Sequence, residues 1–276
     1  MQKRRLGQTD LSIAPLVLGG NVFGWTADEK TSFELLDRFV GAGLNAVDTA
    51  DSYSRWVPGN KGGESETIIG KWMKSRGNRD QVVVITKVGS DMGQGKKDLS
   101  AAYIEKAIDA SLKRLQTDVV DLYLSHWPDS ATPYEETLGA YQKLLAKGKI
   151  RYAGASNLDA GQLRAALDVA SLRGLPRYAV SGKYRSEDDL GKSARGDGVK
   201  AYLDARGMRI LTALDAVSAR HSAKQAEVAL AWVMARPGVT APIASATTLD
   251  QVDSLVRAAS LKISADDMAA LDKASA

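Results

Sequence analysis

Short runs rich in β-branched residues or leucine alternate with longer segments whose apolar residues recur at helical spacing, and this alternation narrows the fold more than any other feature. The runs are Leu16-Val-Leu18, Leu44-Asn-Ala-Val47, Val82-Val-Val-Ile-Thr86, Val119-Val-Asp-Leu-Tyr-Leu124, Ile150 to Ala155, Tyr178-Ala-Val180 and Thr240-Ala-Pro-Ile-Ala244. Between them lie patterns such as Phe33/Leu36/Val40, Ile104/Ile108/Leu112/Leu115 and Leu138/Tyr141/Leu145. Repeated strand-helix units predict an α/β fold of parallel strands joined by helical crossovers. Pro133 opens one helix, and Gly77, Gly148 and Gly174 follow helical ends, as start and stop chemistry requires. Lys3 to Leu6 and Leu11 to Ile13 flank Gly7-Gln-Thr-Asp10 and read as an N-terminal hairpin. No linker-like stretch interrupts residues 1–276, so a single domain is expected.

Composition removes several chemistries. There is no cysteine, and His126 and His221 are the two histidines, which excludes disulfides, thiol nucleophiles, cysteine-ligated zinc and a poly-histidine metal site. A net charge of +4, spread along the chain, argues weakly for nucleic acid or an anionic membrane. The basic N-terminus is not followed by an apolar signal core, and no apolar run has the length of a membrane span. A cytoplasmic location without metal is the expectation.

In parallel barrels, functional groups gather where strands run out into the following loops. Asp48, Lys87, His126 and Ser156-Asn157 each end a strand, and Tyr53 lies in the loop after Asp48. Singly, each has an ordinary structural use. Together they suit protonation of a carbonyl oxygen: a phenol is a poor acid at neutral pH until a neighbouring ammonium stabilises its phenolate. Lys87 supplies that charge, Asp48 holds the lysine ionised in a dry pocket, and His126 orients the carbonyl.

Asp48-Thr-Ala-Asp-Ser-Tyr53, Ile85-Thr-Lys87 and Tyr123-Leu-Ser-His126-Trp-Pro128 resemble the catalytic segments of the aldo-keto reductases. The likeness continues through Leu18-Gly-Gly20, Gly63-Glu-Ser-Glu66, Gly148-Lys-Ile-Arg151 and Gly154-Ala-Ser-Asn157, in family order and spacing. It implies an eight-stranded (β/α) barrel, a TIM barrel, and NAD(P)H-dependent interconversion of aldehydes or ketones with alcohols. Tyr53 would be the proton donor, Asp48 and Lys87 its activating pair, and His126 the carbonyl-orienting group. Ser156 and Asn157 would meet the nicotinamide carboxamide, with Asn21, Lys183, Arg195, Ser245, Thr247 and Gln251 also at the cofactor. NADP(H) is favoured over NAD(H), although many relatives carry Arg where Thr247 or Thr248 stands and Asn where Leu255 stands. Trp25, Trp56 and Trp127 would line a pocket for apolar or aromatic carbonyl compounds, or serve packing alone. The expected partners are that small-molecule substrate and, as an option, further copies of the chain in a homo-oligomer.

One region departs from the pattern. Strand centres fall about every 26 to 38 residues up to Val180, but the next strand starts at Thr240, roughly two strand-helix units on. Seven strand candidates stand where a closed barrel needs eight. An open doubly wound sheet would need fewer, but no Gly-x-Gly-x-x-Gly follows any strand. Relatives place a Gln-x-x-Tyr-Asn strand, a helix and a seventh strand between residues like Tyr178 and residues like Gly182-Lys-Tyr-Arg185. About 40 residues of the sixth to seventh βα region are therefore missing at the 180/181 junction. Either the sequence omits a natural segment, which the good fit of the other elements favours, or the chain carries a true deletion. Two other functions are compatible with parts of the pattern. A cofactor-binding regulatory subunit would keep the barrel, as potassium-channel β-subunits do. A hydrolase would use His126, Ser156 and Asp48, but it lacks a Gly-x-Ser-x-Gly turn and leaves Lys87 and Tyr53 unexplained.

Overall fold

The computed structural model describes residues 1–179 and 204–276. Strands β1 (Arg4–Arg5) and β2 (Ser12–Ile13) form the expected antiparallel hairpin, with Gly7 at φ 57 in the turn. The main sheet contains β3 (Val17–Gly19), β4 (Ala46–Asp48), β5 (Val83–Val88), β6 (Val120–Ser125), β7 (Ile150–Ala155) and β8 (Ile243–Ala244). Helices α1 (Glu29–Gly41), α2 (Glu64–Arg76), α3 (Ala101–Leu115), α4 (Tyr134–Ala146) and α5 (Ala160–Arg173) follow β3 to β7 in turn. From residue 204 onward come α6 (Ala205–His221), α7 (Gln225–Met234), α8 (Leu249–Ser260) and α9 (Ala265–Ser275).

Strand order separates the two architectures that the sequence allows. The sheet runs β7-β6-β5-β4-β3-β8, every pair parallel. Chain order and spatial order agree from β3 to β7, and the last strand lies against the first. A doubly wound sheet reverses direction at a switch point, whereas a (β/α) barrel progresses one way round and brings its final strand back to its first. The described strands follow the barrel rule. Beyond β7, the Ala179 N–H donates to the Ala153 carbonyl at 2.8 Å. The 180/181 junction, Lys183 and Arg195 lie outside the described residues.

Side chains alternate across each strand, and the alternation sorts them into two cores. Leu18, Val47, Val84, Tyr123 and Ala153 face the helices and join a large buried cluster with Leu36, Ile69, Trp72, Ile104 and Leu138. Val17, Ala46, Ile85, Leu122 and Leu124 face inward and pack with Leu6, Leu11 and Ile13. The hairpin therefore closes the end of the barrel from which the strands start. Asn45 ties it there, accepting from the Ala14 N–H at 2.9 Å and donating to the Ser12 carbonyl at 3.0 Å. β8 is shorter than the Thr240 to Ala244 run because Pro242 has no N–H for the ladder. Its carbonyl still accepts from the Val17 N–H at 2.9 Å.

Helix ends carry their predicted chemistry. Asp28, Ser100 and Asp159 accept N-terminal backbone hydrogen bonds of α1, α3 and α5, and Gly77 and Gly174 take left-handed φ at the C-caps of α2 and α5. A glycine inside α2 has a different use. A Cβ on Gly70 would lie 2.7 Å from Leu115 Cα and 2.6 Å from its carbonyl carbon, at the α2/α3 contact. Helix propensity alone favours alanine over glycine by ~1 kcal/mol, but the clash is with backbone that cannot move aside. Gly70→Ala is expected to lower stability by ~1–3 kcal/mol, measurable by urea denaturation.

Candidate active site

Counting in twos along the strands places the functional groups. Asp48 is two residues past inward-facing Ala46, Lys87 two past Ile85, and His126 two past Leu124. Each sits at or just beyond the C-terminal end of β4, β5 or β6, so all three enter the barrel mouth opposite the hairpin. Tyr53 joins them from the loop after β4.

The four groups meet. Lys87 Nζ lies 2.6 Å from Asp48 Oδ1, donates to the Tyr53 hydroxyl at 2.9 Å and to the Thr49 carbonyl at 2.7 Å. The Tyr53 hydroxyl donates to Asp48 Oδ2 at 3.1 Å. The Lys87 and Asp48 side chains are 1% exposed, a burial that two charges tolerate only when paired and hydrogen-bonded. The His126 ring packs edge-on to Tyr53 with centroids 5.9 Å apart and stacks on Trp127 at 5.6 Å. Its Nδ1 is 2.9 Å from Ser90 Oγ, which accepts from Ser52 Oγ at 3.2 Å. An imidazole that accepts the Ser90 hydroxyl at Nδ1 carries its proton on Nε2.

The three tryptophans flank these groups. Trp25 and Trp56 meet edge to face at 5.5 Å, and Trp56 lies 6.2 Å from Tyr53. Trp56 and Trp127 are exposed at 47% and 37%, so neither is consumed by the core.

The residues expected at a nicotinamide cofactor fall into four arrangements. Ser156 is buried just past β7, and its Oγ has no hydrogen-bond partner; a carboxamide would satisfy it, which fits such a group. Asn157, at φ 58, donates from Nδ2 to the His126 carbonyl at 2.7 Å and so braces the neighbouring strand end. Ser245 donates to Asn21 Oδ1 at 2.5 Å, linking the ends of β8 and β3. Gln251 accepts from the Thr247 N–H at 2.7 Å and from its hydroxyl at 3.1 Å, in the first turn of α8. Among the described residues, no three His, Asp or Glu side chains converge as a metal ion would need.

Sequence reasoning missed a second charged layer behind the first. Asp51 is 2% exposed, and its carboxylate has at most a marginal hydrogen bond, from the adjoining Ser52 N–H. Glu66 is fully buried, accepting from Thr86 Oγ1 at 2.5 Å and from Arg114 Nε at 2.6 Å. The available signal was Glu66 on the apolar face of α2, three residues before Ile69 and seven before Met73. Burial, reinforced by the Glu66 carboxylate, pushes the Asp51 carboxyl up to about 8, against opposition from Arg114, the Ser52 N–H and Lys87. An acid whose folded value is raised contributes its full stability below the unfolded value and loses it as pH climbs through the folded one. Asp51 ionisation should therefore cost stability between about pH 4 and 8. Asp51→Asn should lack that loss, with a Tm several degrees above wild type at pH 8.5 relative to the difference at pH 5, read by calorimetry.

The barrel progression and the Asp-Tyr-Lys-His cluster at its mouth define an oxidoreductase scaffold. The chain belongs to the aldo/keto reductase family, whose members are (β/α)8 barrels: the family model matches residues 15–186 and 179–276. It is 32% identical to the uncharacterized oxidoreductase YrpG of Bacillus subtilis over 304 aligned positions, covering 95% of this chain and 92% of that one. It is 27% identical to norsolorinic acid reductase of Aspergillus flavus, covering 95% of this chain and 78% of the relative. An uncharacterized 11.2 kDa protein of Pseudescherichia vulneris is 62% identical over 93 residues, 33% of this chain and 90% of that protein.

Proposed function

We propose that this chain reduces aldehydes or ketones to alcohols, or runs the reverse oxidation, with NADP(H) favoured over NAD(H) and Tyr53 as the general acid and base. One observation carries the reading: a buried ammonium donating to a phenol that is itself bonded to the ammonium's carboxylate partner. The bound dinucleotide would supply or accept the hydride. Ser156, Asn157, Asn21, Ser245, Thr247 and Gln251 would hold it, with Lys183 and Arg195 meeting phosphate charge. Tyr53 gives its proton to the carbonyl oxygen as negative charge develops there, and Lys87 stabilises the phenolate that remains. Asp48 keeps the ammonium ionised and aimed. His126, protonated on Nε2, donates to the same oxygen and fixes the carbonyl face.

Trp25, Trp56 and Trp127 form an apolar aromatic surround beside Tyr53 and His126, which supports apolar or aromatic carbonyl compounds as substrates. The Aspergillus relative is named as a norsolorinic acid reductase, which lends weight to a reductive role. We further propose one barrel domain over 1–276 in which a segment is missing at 180/181. Two observations support it: the alignment with YrpG runs longer than this chain's 276 residues, and the family model matches in two pieces that meet there. Among the described residues no helix is long and apolar enough to cross a membrane. A cytoplasmic setting is proposed with the rest.

Tyr53→Phe removes one hydroxyl and keeps the ring, so it should fold with NADPH affinity intact and lose at least ~10²-fold in kcat for aldehyde reduction. Turnover unchanged by that substitution would reject Tyr53 as the acid, and nucleotide binding without turnover in wild type would favour the regulatory-subunit reading. Lys87→Met should lose activity similarly and, by stranding the Asp48 carboxylate, cost ~3–5 kcal/mol in stability, seen in denaturant titration.

A further inference from the structure

We propose that Ser90 is a positioning residue for His126: its hydroxyl, fixed from the other side by Ser52, holds the imidazole in the tautomer that carries its proton on Nε2. The inference deepens the proton-transfer reading and rests on it.

Three loops meet in this contact. Ser52 directly precedes Tyr53 in the loop after β4, Ser90 lies three residues past Lys87 in the loop after β5, and His126 follows the last residue of β6. Ser52 Oγ donates to Ser90 Oγ at 3.2 Å, and Ser90 Oγ stands 2.9 Å from His126 Nδ1. The backbone on either side is pinned. The His126 N–H donates to the Val88 carbonyl at 2.8 Å, its own carbonyl accepts from Asn157 Nδ2 at 2.7 Å, and the Ser90 carbonyl accepts from Gln94 Nε2 at 3.0 Å. The imidazole plane is set by Trp127, stacked at 5.6 Å with 19° between the rings, and by Tyr53 edge-on at 5.9 Å. Ser90 and His126 are each 8% exposed, so water has little access to the pair.

A hydroxyl has one proton and two lone pairs, and that count separates the two arrangements the contact allows. If Ser90 donates to Nδ1, its proton is used there and a lone pair receives the Ser52 proton. If Nδ1–H donates to Ser90, that oxygen accepts twice and its own proton has no protein acceptor, because among the described residues Ser90 Oγ bonds only Ser52 and His126. An unspent proton on a nearly buried hydroxyl carries a desolvation cost, so the first arrangement is the more stable. The consequence is chemical. Nε2 then presents an N–H to the carbonyl oxygen on which charge develops, and the donor is in place before the substrate arrives. In the other tautomer Nε2 would turn a lone pair toward that oxygen and repel it.

The tautomer is read without cofactor. The chain has two histidines, so nitrogen-15 imidazole spectra hold two ring systems, and His221→Gln assigns them. Read in the range where the imidazole is neutral, wild-type His126 is expected with its proton on Nε2 and a bare Nδ1. Ser90→Ala removes one hydroxyl and should shift the tautomer ratio toward Nδ1–H by about fivefold, the order that one neutral hydrogen bond supplies. Its kcat for aldehyde reduction should fall roughly three- to tenfold, since the ring also loses orientation, while NADPH affinity stays at the wild-type value. Ser52→Ala leaves both partners of the contact in place and should give a smaller shift in the same direction. Ser90→Thr keeps the hydroxyl and should restore both the ratio and kcat. A role confined to packing would leave the tautomer where it was. A wild-type His126 protonated on Nδ1, or a tautomer ratio unmoved in Ser90→Ala, overturns the proposal. Turnover independent of Tyr53 would sink the reductase mechanism and leave the tautomer measurement standing, so the two failures are distinguishable.

Discussion

The buried ion pair of Lys87 and Asp48 is the interaction around which the rest of the molecule is arranged. Two charges at 1% exposure would each carry a penalty of several kcal/mol if left alone. Their mutual contact, the Thr49 carbonyl and the Tyr53 hydroxyl offset it. The geometry is held by parallel pairing, since β4 and β5 are hydrogen-bonded neighbours with Asp48 in register with Ile85. A slip of one residue between these strands would turn one partner out of the barrel and leave the other charged and dry. Register, and therefore everything that secures register, is part of the chemistry.

What secures it is the division of each strand between two apolar layers. The inward layer, capped by Leu6, Leu11 and Ile13 of the hairpin, fills one end of the barrel and leaves the other for polar groups. The outward layer locks the strands to α1 through α4. Polar residues in this outward layer are few and heavily bonded. Asp121 accepts from Arg79, Arg151 and the Val84 N–H at 2.9 Å each, and Glu66 is held from two sides. Asp51 stands out against that background as a buried carboxyl with little beyond the adjoining Ser52 N–H to bond it. Natural chains depart from complete satisfaction of buried polar groups chiefly where function uses the departure.

Much of this was legible from residue order. Asp48, Lys87 and His126 were recognisable because they end apolar runs and complement one another chemically. Tyr53 needed the added idea that a loop would bring its hydroxyl to the lysine. The hairpin and the helix caps followed from turn residues and periodicity. The Ser52-Ser90-His126 chain was not legible, because serines in loops have no distinguishing pattern and meet only when two βα loops lie side by side. Thr247 and Gln251 were expected at a cofactor, and the fold shows a local use for them in the first turn of α8. Asp51 stayed hidden between two more conspicuous residues, since nothing in a one-dimensional pattern says which way a loop carboxylate turns.

By itself, the order of residues determined the kinds of elements, their sequence along the chain and the identity of the reacting groups, because periodicity, caps and side-chain chemistry are local properties. Only the tertiary structure decided that the strands progress one way round, that the hairpin fills one mouth, and that two carboxylates lie in separate layers with different partners. Those outcomes depend on which distant segments exclude water from one another. A carboxyl such as Asp51 acquires its character from that exclusion and from the charges the fold brings near it, neither of which exists until the chain has closed.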